Sequence, residues 1–134
     1  MKGVRNLIFR NQRGQAMVEL VLILPILLLL LFGIVDFGRI YASNLVINNA
    51  AREGARAAAL GAPDEDIVII VNDRCTFLDK TKLAIEITPL SLERISGNPV
   101  NINVQYPVEI NTPLISAITG DPYLVFAQVT MRVE

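Results

Sequence analysis

A single carboxylate, Glu19, lies at the start of a long uncharged segment. It follows Gly14 by five positions, and no charged residue occurs from Leu20 to Val35. If the chain were cut between Gly14 and Gln15, a new α-ammonium group would lie one helical turn, about 6 Å, before Glu19. In a medium of low dielectric constant an unpaired charge is costly, so an amine and a carboxylate at the same depth favour pairing with each other. Glu19 of one copy could then neutralise the amine of the next copy and fix the axial register of packed chains.

The segment that follows Gly14 predicts a transmembrane helix. Residues 15–37 would extend about 34 Å as a helix, enough to cross a hydrocarbon core of about 30 Å. Glu19 would lie near the membrane interface, so a carboxylate that simply reaches water is the alternative to a paired one. Pro25 lies within the uncharged run and predicts a kink. Because residues 1–14 hold four of the twelve basic residues and no acid, we expect a cytoplasmic leader there and an external C-terminal domain.

The helical pattern continues beyond the membrane segment. Residues 38–61 keep one apolar stripe, which shrinks along the chain to Ala51, Gly54 and Ala55 before Gly61 and Pro63 end the helix. Small residues allow a helix to lie close to whatever covers it, so we expect this face to pack on the remainder of the chain. Overpacking it with Gly54→Leu is expected to disrupt folding.

Residues 62–134 predict a small α+β domain. A second helix is expected over residues 64–79, where Ile67, Val71, Cys75 and Leu78 form a helical stripe, although residues 67–71 alone would also make a buried strand. After Lys80 the period changes to two, and Val100–Tyr106 is a clear half-buried strand, which Pro107 is expected to end. The predicted fold is therefore α+β: a long N-terminal helix, half transmembrane and half outside, packed on three or four mainly antiparallel strands.

Composition makes several function classes improbable. The chain contains no histidine and one cysteine, so it lacks the commonest general base and the commonest metal ligand. We therefore expect no enzyme, no metal site and no cofactor. Without a basic stripe or clustered aromatic residues, nucleic-acid binding is not expected either. A buried thiol is the favoured state of Cys75, with a disulfide to another chain as the alternative.

Several motifs together resemble a known family. The motifs are Arg13-Gly14-Gln15-Ala16-Met17-Val18-Glu19, then Pro25, then Gly33 to Arg39, and then Ala50-Ala51-Arg52-Glu53-Gly54-Ala55-Arg56. The similarity is densest in residues 13–56 and continues through the Val100–Tyr106 strand to the closing Thr130-Met131-Arg132-Val133-Glu134, so it covers nearly the whole chain. The first resembles the processing site of type IV prepilins, and the whole set is similar to the TadE-like family, pseudopilins or minor pilins of the tight-adherence (Flp) pilus. The chain departs from classical type IV pilins at Gln15, where those usually begin with phenylalanine. An N-terminal glutamine can cyclise and lose the charge that would pair with Glu19.

The resemblance implies a function, partners and a location. It implies a pilin-like fold and a membrane-anchored pilus assembly protein, cleaved after Gly14 by a prepilin peptidase. The implied partners are that peptidase, the pilus assembly platform and the major pilin or other minor pilins. The expected location is the cytoplasmic membrane, with a place in the fibre also open. The processing residues would be Gly14, Gln15 and Glu19, and helix packing or assembly would involve Glu19, Pro25, Ala51, Gly54 and Ala55. The alternative is an uncleaved bitopic protein whose outer domain binds a partner or the cell wall.

Overall fold

The computed structural model describes residues 5–134, with side chains from Gly14 onward; residues 1–4 of the predicted leader lie outside the described residues. The chain forms two compact units, an N-terminal unit that ends at Val35 and a C-terminal unit from Asp36 to Glu134. The first helix, α1 (Arg5–Ala59), contributes to both units. It contains the predicted helix from Gln15 as far as Ala59, and it begins ten residues before Gln15, at Arg5.

In the N-terminal unit, α1 is the one described element, and its side chains are exposed. The large apolar side chains between Met17 and Val35 are between 39% and 71% exposed. Pro25 lies inside the helix, which is helical on both sides of it. The kink predicted there stays a prediction.

The C-terminal unit combines the second half of α1 with two short helices and one sheet. The elements that follow α1 are α2 (Asp64–Arg74), β1 (Ala84–Thr88), β2 (Pro99–Val108), α3 (Pro113–Thr119) and β3 (Tyr123–Arg132). Single turns of 3-10 helix precede β1 at Lys80–Lys82 and follow it at Ser91–Glu93. The three strands are antiparallel in the order β1-β2-β3, with β2 in the centre. The predicted α+β fold, a long helix on a small antiparallel sheet, is confirmed.

The core lies between α1, α2 and one face of the sheet. Alternation along β2 turns Val100, Ile102 and Val104 inward, where all three are fully buried. Facing them are Ile47 and four alanines of α1, together with Ile67 and Val71 of α2 and Cys75. The buried thiol predicted for Cys75 is therefore confirmed.

Two predicted boundaries were wrong, and local chemistry explains both. The second helix ends at Arg74 and not at residue 79, because the chain turns there, with the N–H of Leu78 donating to the carbonyl of Cys75. Asp79 then starts the next 3-10 turn by accepting hydrogen bonds from the N–H and hydroxyl of Thr81, at 3.0 and 2.6 Å. Pro107 does not end β2, which continues to Val108. Beyond the end of β1, β2 pairs with β3 alone, so the missing N–H of Pro107 interrupts no ladder on that side.

Candidate functional site

The candidate processing residues lie together on one stretch of α1. Gly14, Gln15 and Glu19 are all exposed. Gln15 and Glu19 are four residues apart in a continuous helix, so they lie on the same face about 6 Å apart along the axis. No side chain from Gly14 onward forms an ion pair with Glu19. An amine created at Gln15 would therefore lie one turn from an available carboxylate.

The apolar surface around Glu19 has no intramolecular cover. In the most apolar window of α1, none of the described residues is buried, and the mean hydropathy is 3.0. Such a surface is unstable in water, since burying apolar area is worth about 25 cal/mol per Å². By length and composition α1 could cross a membrane, where lipid would cover this surface.

The small residues of α1 are buried in the interior of the C-terminal unit. Ala51 and Ala55 are fully buried, and Gly54 is buried between them. A Cβ atom added at Gly54 would lie 2.8 Å from Val71 Cγ2 and 3.4 Å from Ile67 Cγ2. The backbone of α1 and the side chains of α2 are thus so close that only glycine fits. The sequence predicted a close approach to the sheet, and α2 shares that contact.

A buried carboxylate that the sequence did not single out holds α3 to α1. Asp36 is 1% exposed. Its Oδ2 accepts hydrogen bonds from the N–H and the hydroxyl of Thr112, at 2.8 and 2.6 Å, and its Oδ1 accepts one from the N–H of Asn111 at 3.3 Å. Arg39 Nη1 lies 3.9 Å from Oδ1 on the solvent side. Asp36 therefore binds the two residues that directly precede α3 and holds the start of that helix to α1.

A second buried charge, on Arg94, connects the start of α2 to the turn after β1. The side chain of Arg94 is 4% exposed and pairs with the carboxylate of Asp64. It also donates to the carbonyl oxygens of Ala62 at 2.6 Å and Pro89 at 3.3 Å. Because guanidinium presents several fixed donors, one side chain binds the start of α2 and the turn after β1 together.

Among the described residues, titratable side chains approach one another in an open groove of the C-terminal unit. No group of His, Cys, Asp or Glu able to hold a metal ion occurs in the described part of the chain. The open groove between Arg39, Phe77 and Glu109 contains one close ion pair, from Lys82 Nζ to Glu109 Oε1 at 2.6 Å. That hydrogen bond lowers the pKa of Glu109 and raises the pKa of Lys82. Burial raises the pKa of the Cys75 thiol, which keeps the thiol protonated and unreactive near neutral pH.

Comparison with known families supports the predicted resemblance. Residues 14–56 match the family described as TadE-like protein. No curated protein and no solved structure matches the chain. The matched segment begins at Gly14, and it includes Glu19, the apolar run, Asp36 and the buried small residues of α1. A TadE-like segment suggests association with the tight-adherence pilus, and the long apolar helix suggests a single-pass membrane anchor. The resemblance predicted from the sequence is thus confirmed over residues 14–56, and the chain is TadE-like in that segment. Its continuation to Glu134 stays a prediction.

Proposed function

We propose that this chain is a pseudopilin or minor pilin of the tight-adherence pilus, cleaved after Gly14 by a prepilin peptidase. The observation that carries the proposal is the surface of α1 from Gly14 to Val35. It is apolar, exposed throughout and contains one carboxylate, Glu19, one turn after the amine that cleavage would create. A plain membrane anchor needs the apolar surface but has no use for a carboxylate at that position.

Local helix stability favours cleavage at this bond. Glycine inside a helix is about 0.5–1 kcal/mol less favourable than alanine, and no other part of the described chain lies within 4 Å of a Cβ built at Gly14. Among the described residues, no neighbour packed on Gly14 therefore opposes local unwinding of α1 there. In the packed half of α1, by contrast, unwinding would also expose the core side chains that surround Gly54.

The proposal includes an orientation and a set of partners. The basic residues before Gly14 favour an N-terminus in the cytoplasm and a C-terminal unit outside. Cleavage would then occur at the cytoplasmic face, and the partners would be the peptidase, the assembly platform and the major or other minor pilins. Packed copies would pair Glu19 with the new amine of a neighbour, because both charges lie at the same depth.

The N-terminal mass of the protein from membranes tests the maturation step. The protein is purified from cells with and without their prepilin peptidase. We expect a start at Gln15 when the peptidase is present and at Met1 when it is absent. A Met1 start in both strains would overturn cleavage and favour the bitopic protein that binds a partner or the wall. The same spectrum separates a free amine at Gln15 from its cyclised form, which weighs one ammonia less and has no charge to offer Glu19.

A charge-removing substitution tests the assembly step separately. Glu19→Gln keeps the size and shape of the side chain and removes its charge. We expect normal membrane insertion and normal cleavage, with loss of pili counted by electron microscopy. Glu65→Gln is the matched control, because Glu65 is an exposed glutamate of α2 with no ion pair among the described residues. Normal piliation by Glu19→Gln would contradict the charge-pairing argument while leaving the result on cleavage unchanged.

A further inference from the structure

An uncharged apolar surface surrounds α3 and is not covered by the rest of the described chain. Its members are Phe37 of α1, Leu114 and Ile118 of α3, and Tyr123 at the start of β3; we call this set the α3 surface. Their exposed fractions are 70%, 55%, 80% and 37%. An apolar groove of about 190 Å³ lies between α1 and α3; it shares Phe37 and Tyr123 with this surface and is completed by Ile40, Ile115 and Thr119. No charged residue occurs from Ile110 to Gly120. A small soluble domain rarely leaves such a group of large apolar side chains together in water.

The polar side chains of the α3 segment are already hydrogen-bonded within the protein. The hydroxyl of Ser116 donates to the carbonyl of Pro113 at 3.0 Å, and that of Thr119 donates to the carbonyl of Ile115 at 2.9 Å. The Thr112 hydroxyl donates to Asp36. Moving a polar group out of water is costly only when it loses a partner, so these side chains do not oppose transfer of α3 to a less polar medium.

Covalent continuity places α3 close to the membrane boundary. Asp36 directly follows Val35, the last residue of the uncharged run, and three hydrogen bonds connect Asp36 to residues 111 and 112. The interfacial layer on each side of the hydrocarbon core is about 5–7 Å thick. Phe37 is about 1.5 Å further along the helix axis than Asp36, so both the carboxylate and the start of α3 lie within reach of that layer.

We propose that the α3 surface is a lipid-contacting element, with Leu114 and Ile118 inserted at the boundary between headgroups and acyl chains. Aromatic side chains with a polar tip favour this boundary, and Tyr123 borders the surface. Arg39, next to Asp36 and 45% exposed, has donors available for lipid phosphate. The C-terminal unit is then held to the bilayer by α3 as well as by α1. This inference depends on the membrane anchor and not on a role in pili.

Tryptophan fluorescence of the full chain in vesicles tests the contact. The sequence contains no tryptophan, so Ile118→Trp introduces a single reporter. The protein is reconstituted in phosphatidylcholine–phosphatidylglycerol vesicles, with and without lipids brominated at a shallow or a deep acyl position. Leu92→Trp is the matched control, because Leu92 is 99% exposed and lies beside Ser91, whose N–H is bonded to Asp64 at the start of α2.

Lipid contact predicts opposite behaviour of the two reporters. The Ile118→Trp emission should shift to shorter wavelength and lose intensity with brominated lipids, more with shallow than with deep bromine, while Leu92→Trp should show neither change. Equal quenching of the two reporters would overturn the proposal. So would a blue shift that depends on the protein-to-lipid ratio without bromine quenching, since a second copy would then cover the surface. Leu114→Trp serves as a second reporter, and protection of Cys75 from thiol reagents verifies that each variant is folded.

Discussion

The close approach at Gly54 makes a quantitative prediction about the stability of the C-terminal unit. Gly54→Ala adds one methyl group 2.8 Å from Val71 Cγ2, closer than such atoms pack, so α1 or α2 must shift. Overpacking of this kind costs about 1–3 kcal/mol. Alanine is also the better helix former by about 1 kcal/mol, which offsets part of the loss. We therefore expect the free energy of unfolding to fall by up to about 2 kcal/mol, and Gly54→Leu to prevent folding of this unit.

The same substitution at Gly38 provides the control. Gly38 lies in the same helix and the same unit, and a Cβ atom there would meet nothing within 4 Å. Gly38→Ala should therefore gain the helix preference alone and raise the free energy of unfolding by up to about 1 kcal/mol. The difference between the two variants isolates the packing term, about 1–3 kcal/mol.

The single buried thiol gives the assay. Cys75 is fully buried, so a thiol reagent labels it only when the core opens. When opening and closing are fast compared with labelling, the labelling rate is proportional to the open population. A packing difference of about 1–3 kcal/mol then makes Gly54→Ala label about 5- to 140-fold faster than Gly38→Ala at the same pH, because 1.4 kcal/mol corresponds to tenfold. Equal labelling rates for the two variants would refute the close packing of α1 and α2.

Three further perturbations test the charges and the thiol of the C-terminal unit. Thr112→Val keeps the side-chain shape but removes the hydroxyl bound to Asp36. Because hydrogen bonds to charged groups are worth about 1.5–3 kcal/mol, we expect faster amide hydrogen exchange in α3. Unchanged exchange would contradict the role of Asp36. Arg94→Leu leaves Asp64 partly buried without its partner and should lower the free energy of unfolding in urea by about 3 kcal/mol, whereas a loss below 1 kcal/mol would show the pair to be a minor contact. Burial raises the pKa of Cys75, so the unfolded chain loses its thiol proton before the folded chain does as pH rises. The free energy of unfolding should therefore be unaffected by this group at neutral pH and fall above the ordinary thiol pKa near 9.0. Cys75→Ala should lack that decline.

The sequence predicted the elements whose signal is local. The uncharged run after Glu19, the shrinking stripe of α1 and the alternation of Val100–Tyr106 each repeat over several turns or residue pairs, so periodicity indicated their structure directly. The burial of Cys75 followed from its place in the apolar stripe of the second helix. Predictions at element ends were weaker, because the short hydrogen bonds of Asp79 and the unpaired edge beside Pro107 depend on one or two residues each.

The role of Asp36 could not be predicted because its partners are 75 and 76 residues away. In the sequence, Asp36 indicates only where the uncharged run stops. Thr112-Pro113 similarly predicts the start of a helical turn without indicating what caps it. Each half of the contact has a sufficient local explanation, so neither residue indicates the other. The missing information is tertiary, and the buried fraction of Asp36 is the observation that reveals it.

The distribution of small and large side chains along α1 separates folding from assembly. Its small residues after Ala50 are buried against α2 and β2, whereas its large apolar residues before Asp36 are exposed. Substitutions at Ala51, Gly54 or Ala55 should therefore act on pili only through loss of the folded unit, and labelling of Cys75 would report that loss. Substitutions at Glu19 should leave the labelling of Cys75 unchanged and act on assembly alone. A Glu19 variant that exposed Cys75 would show that the two halves of α1 are energetically coupled, and the separate roles proposed for them would have to be abandoned.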